Sequence, residues 1–150
     1  MTNIMSSLDT NTILNRLLVL HHRSLPVYLN QAMPWLHRNS AAAQEVLQSI
    51  AADHEATADR FGAMIVAEGG APTFGEFPLR YTALHDLALG YLVLRMIEYE
   101  KLLIQRISEC ADLLRMNPTA QAAALESLGA AKAHLQSLEE VAPPRAAAQV

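Results

Sequence analysis

Apolar residues recur at spacings of three and four along four long stretches of this chain, the pattern of amphipathic helices. The first stretch carries Leu14, Leu17, Leu18 and Leu25, with His21 and Tyr28 on the same stripe. It predicts a helix that starts at a Thr10 or Asn11 cap, runs to about Met33 and stops at Pro34. Pro26 lies inside the pattern and removes a backbone donor, so a kink is expected there. Trp35, Leu36 and His37 form a corner, and Asn39 or Ser40 caps a second helix from about Ala41 to Glu68. Its buried line is Leu47, Ile50, His54, Ala58, Phe61 and Ile65, and Gly69-Gly70 supplies its stop. Residues 71–81 contain Pro72, Gly75 and Pro78 and read as a connector.

A third helix is expected from a capping Thr82 to about Met116. Leu84, Leu87, Tyr91, Leu94, Ile97, Leu102, Ile104, Ile107 and Leu113 make it apolar on more than one face. Such a helix is central or buried in a second interface. Asn117-Pro118 is a cap followed by proline at the first helical position, and it starts a fourth helix that ends near Glu140. The connections run short, long, short. Helical hairpins need only about 2–8 linking residues, so the long connector crosses from one end to the other. The expected fold is all-α: an antiparallel four-helix bundle over residues 10–141, with residues 1–9 and 142–150 as flexible termini.

Composition agrees with close-packed helices. The chain has 150 residues, 51% of them hydrophobic but only 5% aromatic. Much of the apolar content is Ala and Leu, which favour helix over sheet. A net charge of -4 excludes a basic nucleic-acid footprint. Every long apolar stretch is broken by a charged residue or a histidine, so no membrane span is expected. The single cysteine, Cys110, cannot form an intrachain disulfide and reads as a small packed side chain. With no secretory pattern at the N-terminus, a cytoplasmic protein is the expectation.

The chemistry lies in four ionisable residues on four apolar stripes: His21, His54, Glu98 and His134. Burying them at one level is costly unless they satisfy one another or bind something. Glu100 is a rival to Glu98 for the inward position. His22, His37 and His85 read as ordinary surface or hydrogen-bonded residues, and Glu45, Asp53, Glu55 and Asp59 as a solvated face.

The segment Ala58-Asp59-Arg60-Phe61 through Gly70-Ala71-Pro72 resembles the end of the second helix in the bacterioferritins. Leu14-Asn15-Arg16 with Tyr28 resembles their first helix, and His134-Leu135 with Leu138-Glu139 their fourth. The resemblance implies a ferritin-like bundle with its long crossover between the second and third helices. Di-iron members supply a Glu from each of two helices and a Glu-x-x-His pair from each of the others. Laid on this chain, those positions fall on His21, His54 with Thr57, Glu98, and Ala131 with His134. Thr57 and Ala131 cannot replace the bridging carboxylates that neutralise two cations, so a ferroxidase centre is not expected. The resemblance implies a degenerate, His-substituted site instead. It would hold one divalent zinc, iron or manganese ion through His21, His54, Glu98 and His134, with Tyr28 nearby. Haem is not expected, because Met64 lies a turn or more beyond the family's haem-ligand position.

The competing reading is a metal-free bundle that works as a homo-oligomer. It would associate through Leu20, Val27, Leu92 and Tyr99, and its polar cluster would be vestigial. A hemerythrin-like iron site would need more paired histidines within single helices than this chain has.

Overall fold

A computed structural model describes residues 4–32 and 41–144. These residues form α1 (Ile4–His22), α2 (Leu25–Ala32), α3 (Ala41–Ala67), a 3₁₀ segment (Leu79–Leu84), α4 (Leu89–Leu113) and α5 (Pro118–Val141). The fold is all-helical, with no strand among the described residues. The expected stop at Pro34, the corner at Trp35–His37 and the Asn39 or Ser40 cap lie outside the described residues, as does the tail beyond residue 144.

The first predicted helix is two. α1 already runs from Ile4, earlier than the expected Thr10 or Asn11 cap. It ends at His22, and the chain restarts at Leu25. Pro26 has no N–H to continue the ladder, so the break is local chemistry rather than a gentle bend. Ser24 occupies the gap. Its hydroxyl accepts from the Val27 N–H at 3.4 Å and its carbonyl from the Tyr28 N–H at 3.0 Å, which caps α2.

α3 ends as expected. Gly69 adopts φ +81°, a left-handed conformation, and the Gly70 N–H returns to the Ile65 carbonyl at 2.9 Å. The crossover is longer than predicted because α4 begins at Leu89, not at Thr82. Tyr81 and Leu84 are three residues apart, the period of a 3₁₀ turn, and both are buried. The Thr82 hydroxyl donates to the Leu79 carbonyl instead of capping a helix. Asn15 pins the crossover to α1 through two 2.8 Å hydrogen bonds with Thr73. At the other hairpin, Asn117 caps α5 by accepting from the Ala120 N–H at 3.1 Å, with Pro118 at the first helical position as expected.

α1 packs chiefly on α3, and α4 on α5. The buried side chains form two apolar clusters. One gathers Leu25, Leu29, Leu47, Ile50, Leu92, Met96 and Leu138 with the aromatic Tyr28 and Tyr81. The other gathers Leu14, Leu17, Phe61, Ile65 and Ile107 with Ala120, Ala123, Ala124 and Ala131 of α5. Each long helix passes from one cluster to the other, so the chain order within the clusters fixes its sense. α3 and α4 run from the first cluster to the second, while α1–α2 and α5 run back. Residues 68–88 carry the chain from the end of α3 to the start of α4. Between the clusters, each long helix contributes one ionisable side chain to a polar layer.

Val27 and Leu92, expected on an association surface, are fully buried within the chain's own core. Leu20 and Tyr99 are half-buried against it. The apolar excess of these helices is therefore largely used inside the fold, where α2 and the crossover cover it.

Candidate metal centre

His21 on α1, His54 on α3 and His134 on α5 come together as the apolar stripes imply, and all are buried. Their rings form a row. The His54 centroid is 5.3 Å from that of His21 and 5.3 Å from that of His134.

The carboxylate in the layer is Glu100, not Glu98. Glu98 is 62% exposed and sits 3.4 Å from Lys101, whereas Glu100 is fully buried. The cause is helical register. The buried line of α4 is Val93, Met96, Ile97, Glu100, Leu103 and Ile107, in steps of three and four. Glu98 lies two residues from Glu100, about 200° round the helix. Tyr91 and Leu102, two of the apolar residues that made the helix apolar on more than one face, are partly exposed, so the buried side is the Glu100 one.

One ligand atom from each of His54, Glu100 and His134 lies within 4.8 Å of the other two. The atoms that face inward share a further property. His54 Nε2, His134 Nδ1 and both Glu100 carboxyl oxygens are buried without a hydrogen-bond partner. His54 Nε2 comes to 3.4 Å of Glu100 Oε1 but does not make an aligned hydrogen bond. The outward nitrogens, in contrast, are engaged. His54 Nδ1 lies 2.7 Å from the Ser24 hydroxyl, and His134 Nε2 lies 2.8 Å from Asp53 Oδ2. A carboxylate only accepts, so His134 must donate through Nε2, which leaves its Nδ1 lone pair pointing inward. Donation from His54 Nδ1 to Ser24 leaves Nε2 in the same state.

Ser24 and Asp53 were not singled out as site residues by the sequence pattern. The only hint of Ser24 was a serine two positions before a proline inside a helical stretch. Asp53 is half-exposed and reads as part of a solvated face, yet it fixes the His134 ring.

His21 stands beside this group. Its Nδ1 donates to the Leu17 carbonyl at 2.7 Å, four residues back on α1, which leaves Nε2 as the lone-pair nitrogen. Phe61 packs beside its ring, with the centroids 5.8 Å apart. Tyr28 is not near the centre: its hydroxyl is hydrogen-bonded to the His85 ring, and its own ring packs with Phe77 and Tyr81. Thr57 is half-buried, and Ala131 is buried in the second apolar cluster.

Burial sets the protonation states of the metal-free layer. Desolvation lowers His21 to about 4, opposed in part by its hydrogen bond to Leu17. Desolvation also holds His54 well below the usual histidine range, with the neighbouring imidazoles adding to it. The same effect raises Glu100 to about 8. Without an ion, both members of the His54–Glu100 contact are therefore neutral at pH 7. A buried cation would ionise Glu100 and keep the imidazoles in the neutral, lone-pair form they already have.

The group His54, Glu100 and His134 can thus hold a metal ion. It offers two imidazole nitrogens and one carboxylate, and both ring orientations are fixed from outside by hydrogen bonds. A cleft lined by Glu45, Ser49, His134 and Ser137 opens between α3 and α5 and brings solvent to one edge of the group. Among the described residues no helix is long and apolar enough to cross a membrane. No family model, curated protein or solved structure matches this chain.

Proposed function

We propose that this protein is a ferritin-like helical bundle of non-ferroxidase type that binds one divalent transition metal ion in its core. His54 Nε2, His134 Nδ1 and the Glu100 carboxylate are its ligands, and His21 is an adjacent nitrogen available as a fourth. The observation that carries this reading is the inward set of unpartnered atoms. Each buried polar atom without a partner destabilises a protein by roughly 1–3 kcal/mol. Four such atoms in three residues whose ligand atoms lie within 4.8 Å of one another make physical sense if an ion satisfies them together.

Two imidazoles and one carboxylate suit zinc, iron or manganese and leave coordination positions open. One carboxylate neutralises only half the charge of a divalent ion. That supports a single ion and argues against the two bridged cations of a ferroxidase. The ferritin-like part of the proposal rests on the sequence resemblance and agrees with a helix order in which a long crossover joins two hairpins.

Elemental analysis and zinc titration of the full chain test the reading. The wild type should bind close to one ion per chain, while His54→Ala and His134→Ala should lose it and Glu98→Gln should keep it. A folded wild type that takes up no zinc, iron or manganese at micromolar concentration would refute it.

A metal-free homo-oligomer with a vestigial layer is the second reading. Leu113, 62% exposed, and Met116, 91% exposed, near the α4–α5 turn favour it. Light scattering at micromolar concentration decides the association: a monomer removes this reading.

A further inference from the structure

Two adjoining cavities lie where α1, the crossover and α4 meet, against the Tyr99, Leu102 and Arg106 face of α4. Their volumes are about 200 Å³ and 240 Å³. They share Arg80, Tyr81, Tyr99 and Leu102 in their walls. The shared walls set them side by side, and each alone is somewhat below the roughly 300–1,000 Å³ of typical small-ligand sites.

The charge around them is unusual for this chain. Arg23 and Arg106 line the first cavity, Arg95 the second and Arg80 both, in a protein of net charge -4. None of these four arginines takes part in an ion pair among the described residues, although Arg60 and Arg115 do elsewhere. Two carboxylates share the walls: Glu98 at the second cavity, paired with Lys101, and Glu76 at the first. Three arginines round the first cavity and two round the second, with Arg80 shared, focus a positive potential into this face. Two of them are already positioned. Arg23 Nε donates to the Phe74 and Gly75 carbonyls with its guanidinium 4.8 Å from the Phe77 ring centre, and Arg80 lies over Tyr81 at 5.4 Å. The rest of the lining is largely apolar. The Tyr99 hydroxyl is used on the Leu20 carbonyl, so Tyr99 presents mainly its ring to the cleft.

We propose that this cleft binds a small amphipathic carboxylate. Its apolar body would lie along Leu20, Tyr99 and Leu102, and its carboxylate would meet Arg80 and Arg106. A guanidinium pairs with a carboxylate through two parallel hydrogen bonds, and the apolar walls add the area that a bare inorganic anion would not use. The site is independent of metal binding. It nevertheless lies close to that centre, because Tyr99 precedes Glu100 in α4 and bonds the residue before His21.

The test is calorimetric titration of chelator-treated full-length protein with decanoate, decanol and inorganic phosphate. Decanoate should bind at least about tenfold more tightly than decanol, a difference of about 1.4 kcal/mol. Phosphate should be weaker still. The double variant R80A/R106A changes two exposed side chains and should melt like the wild type. It should lose about tenfold or more in decanoate affinity with decanol unchanged. The control R60A/R115A should lose nothing. Equal affinities for decanoate and decanol, undiminished decanoate binding by R80A/R106A, phosphate binding as tight as decanoate binding, or no decanoate binding at millimolar concentration would each overturn the proposal.

Discussion

The two apolar clusters and the polar layer between them are built from the same helices but satisfy their buried atoms differently. In the clusters, residues such as Leu47 and Leu92 are fully buried among other apolar side chains. In the layer, His54, Glu100 and His134 are just as buried, yet their inward atoms have no partner. The clusters stabilise the fold and the layer opposes it. That contrast is what the proposed metal site rests on, since an ion would satisfy the inward atoms together.

The largest expected effect lies in a cluster. Leu47→Ala removes a fully buried side chain and should lower unfolding free energy in urea by about 2–5 kcal/mol. Zinc stoichiometry should stay at its wild-type value. Loss of zinc in a variant that remains folded would mean that cluster and layer are not separable.

The next test reads the layer directly through pH. Glu100 is raised from 4.5 to about 8, so its contribution to stability is complete below pH 4.5 and is lost as pH rises through 8. His21, lowered from 6.5 to about 4, has the opposite sign: its contribution is complete above pH 6.5 and lost as pH falls through 4. The two oppose each other in acid, and above pH 6.5 Glu100 acts without that opposition. Metal-free protein should lose about 2 kcal/mol between pH 6.5 and 8, measured by urea unfolding at each pH. Glu100→Met should abolish that slope, bind no zinc and be more stable than the wild type at pH 8 by about 1–3 kcal/mol. An intact slope in Glu100→Met would show that Glu100 is not its source, and a destabilised variant would show that the layer supports the fold.

The smallest effect separates two glutamates that are neighbours in sequence. Glu98→Gln removes one member of an exposed pair and should change stability by no more than about 0.5 kcal/mol, with zinc affinity unchanged. A clear fall in zinc affinity in Glu98→Gln would return the carboxylate role to Glu98.

Much of this was legible in the sequence. The stripes Leu14–Leu17–Leu18–His21 and Leu47–Ile50–His54–Ala58–Phe61 are unbroken and gave the histidines their inward direction, because on an amphipathic helix three-and-four spacing is burial. The same rule was ambiguous on α4, where apolar residues surround the helix and two registers compete. Thr82 was misleading for a related reason. It is a good cap by type, but Tyr81 and Leu84 stabilise a 3₁₀ turn by burying their side chains in the core.

Local pattern by itself determined the all-helical class, the Asn117-Pro118 and Gly69-Gly70 boundaries and the three inward histidines, since each depends on residues within a few turns of one another. Tertiary structure alone decided which glutamate joins them, which nitrogen of each ring faces inward, and that Ser24 and Asp53 hold those rings. The two ring orientations depend on partners 30 and 81 residues apart in the chain, which no helical period relates, and the choice of glutamate on which side of an all-round apolar helix packs inward.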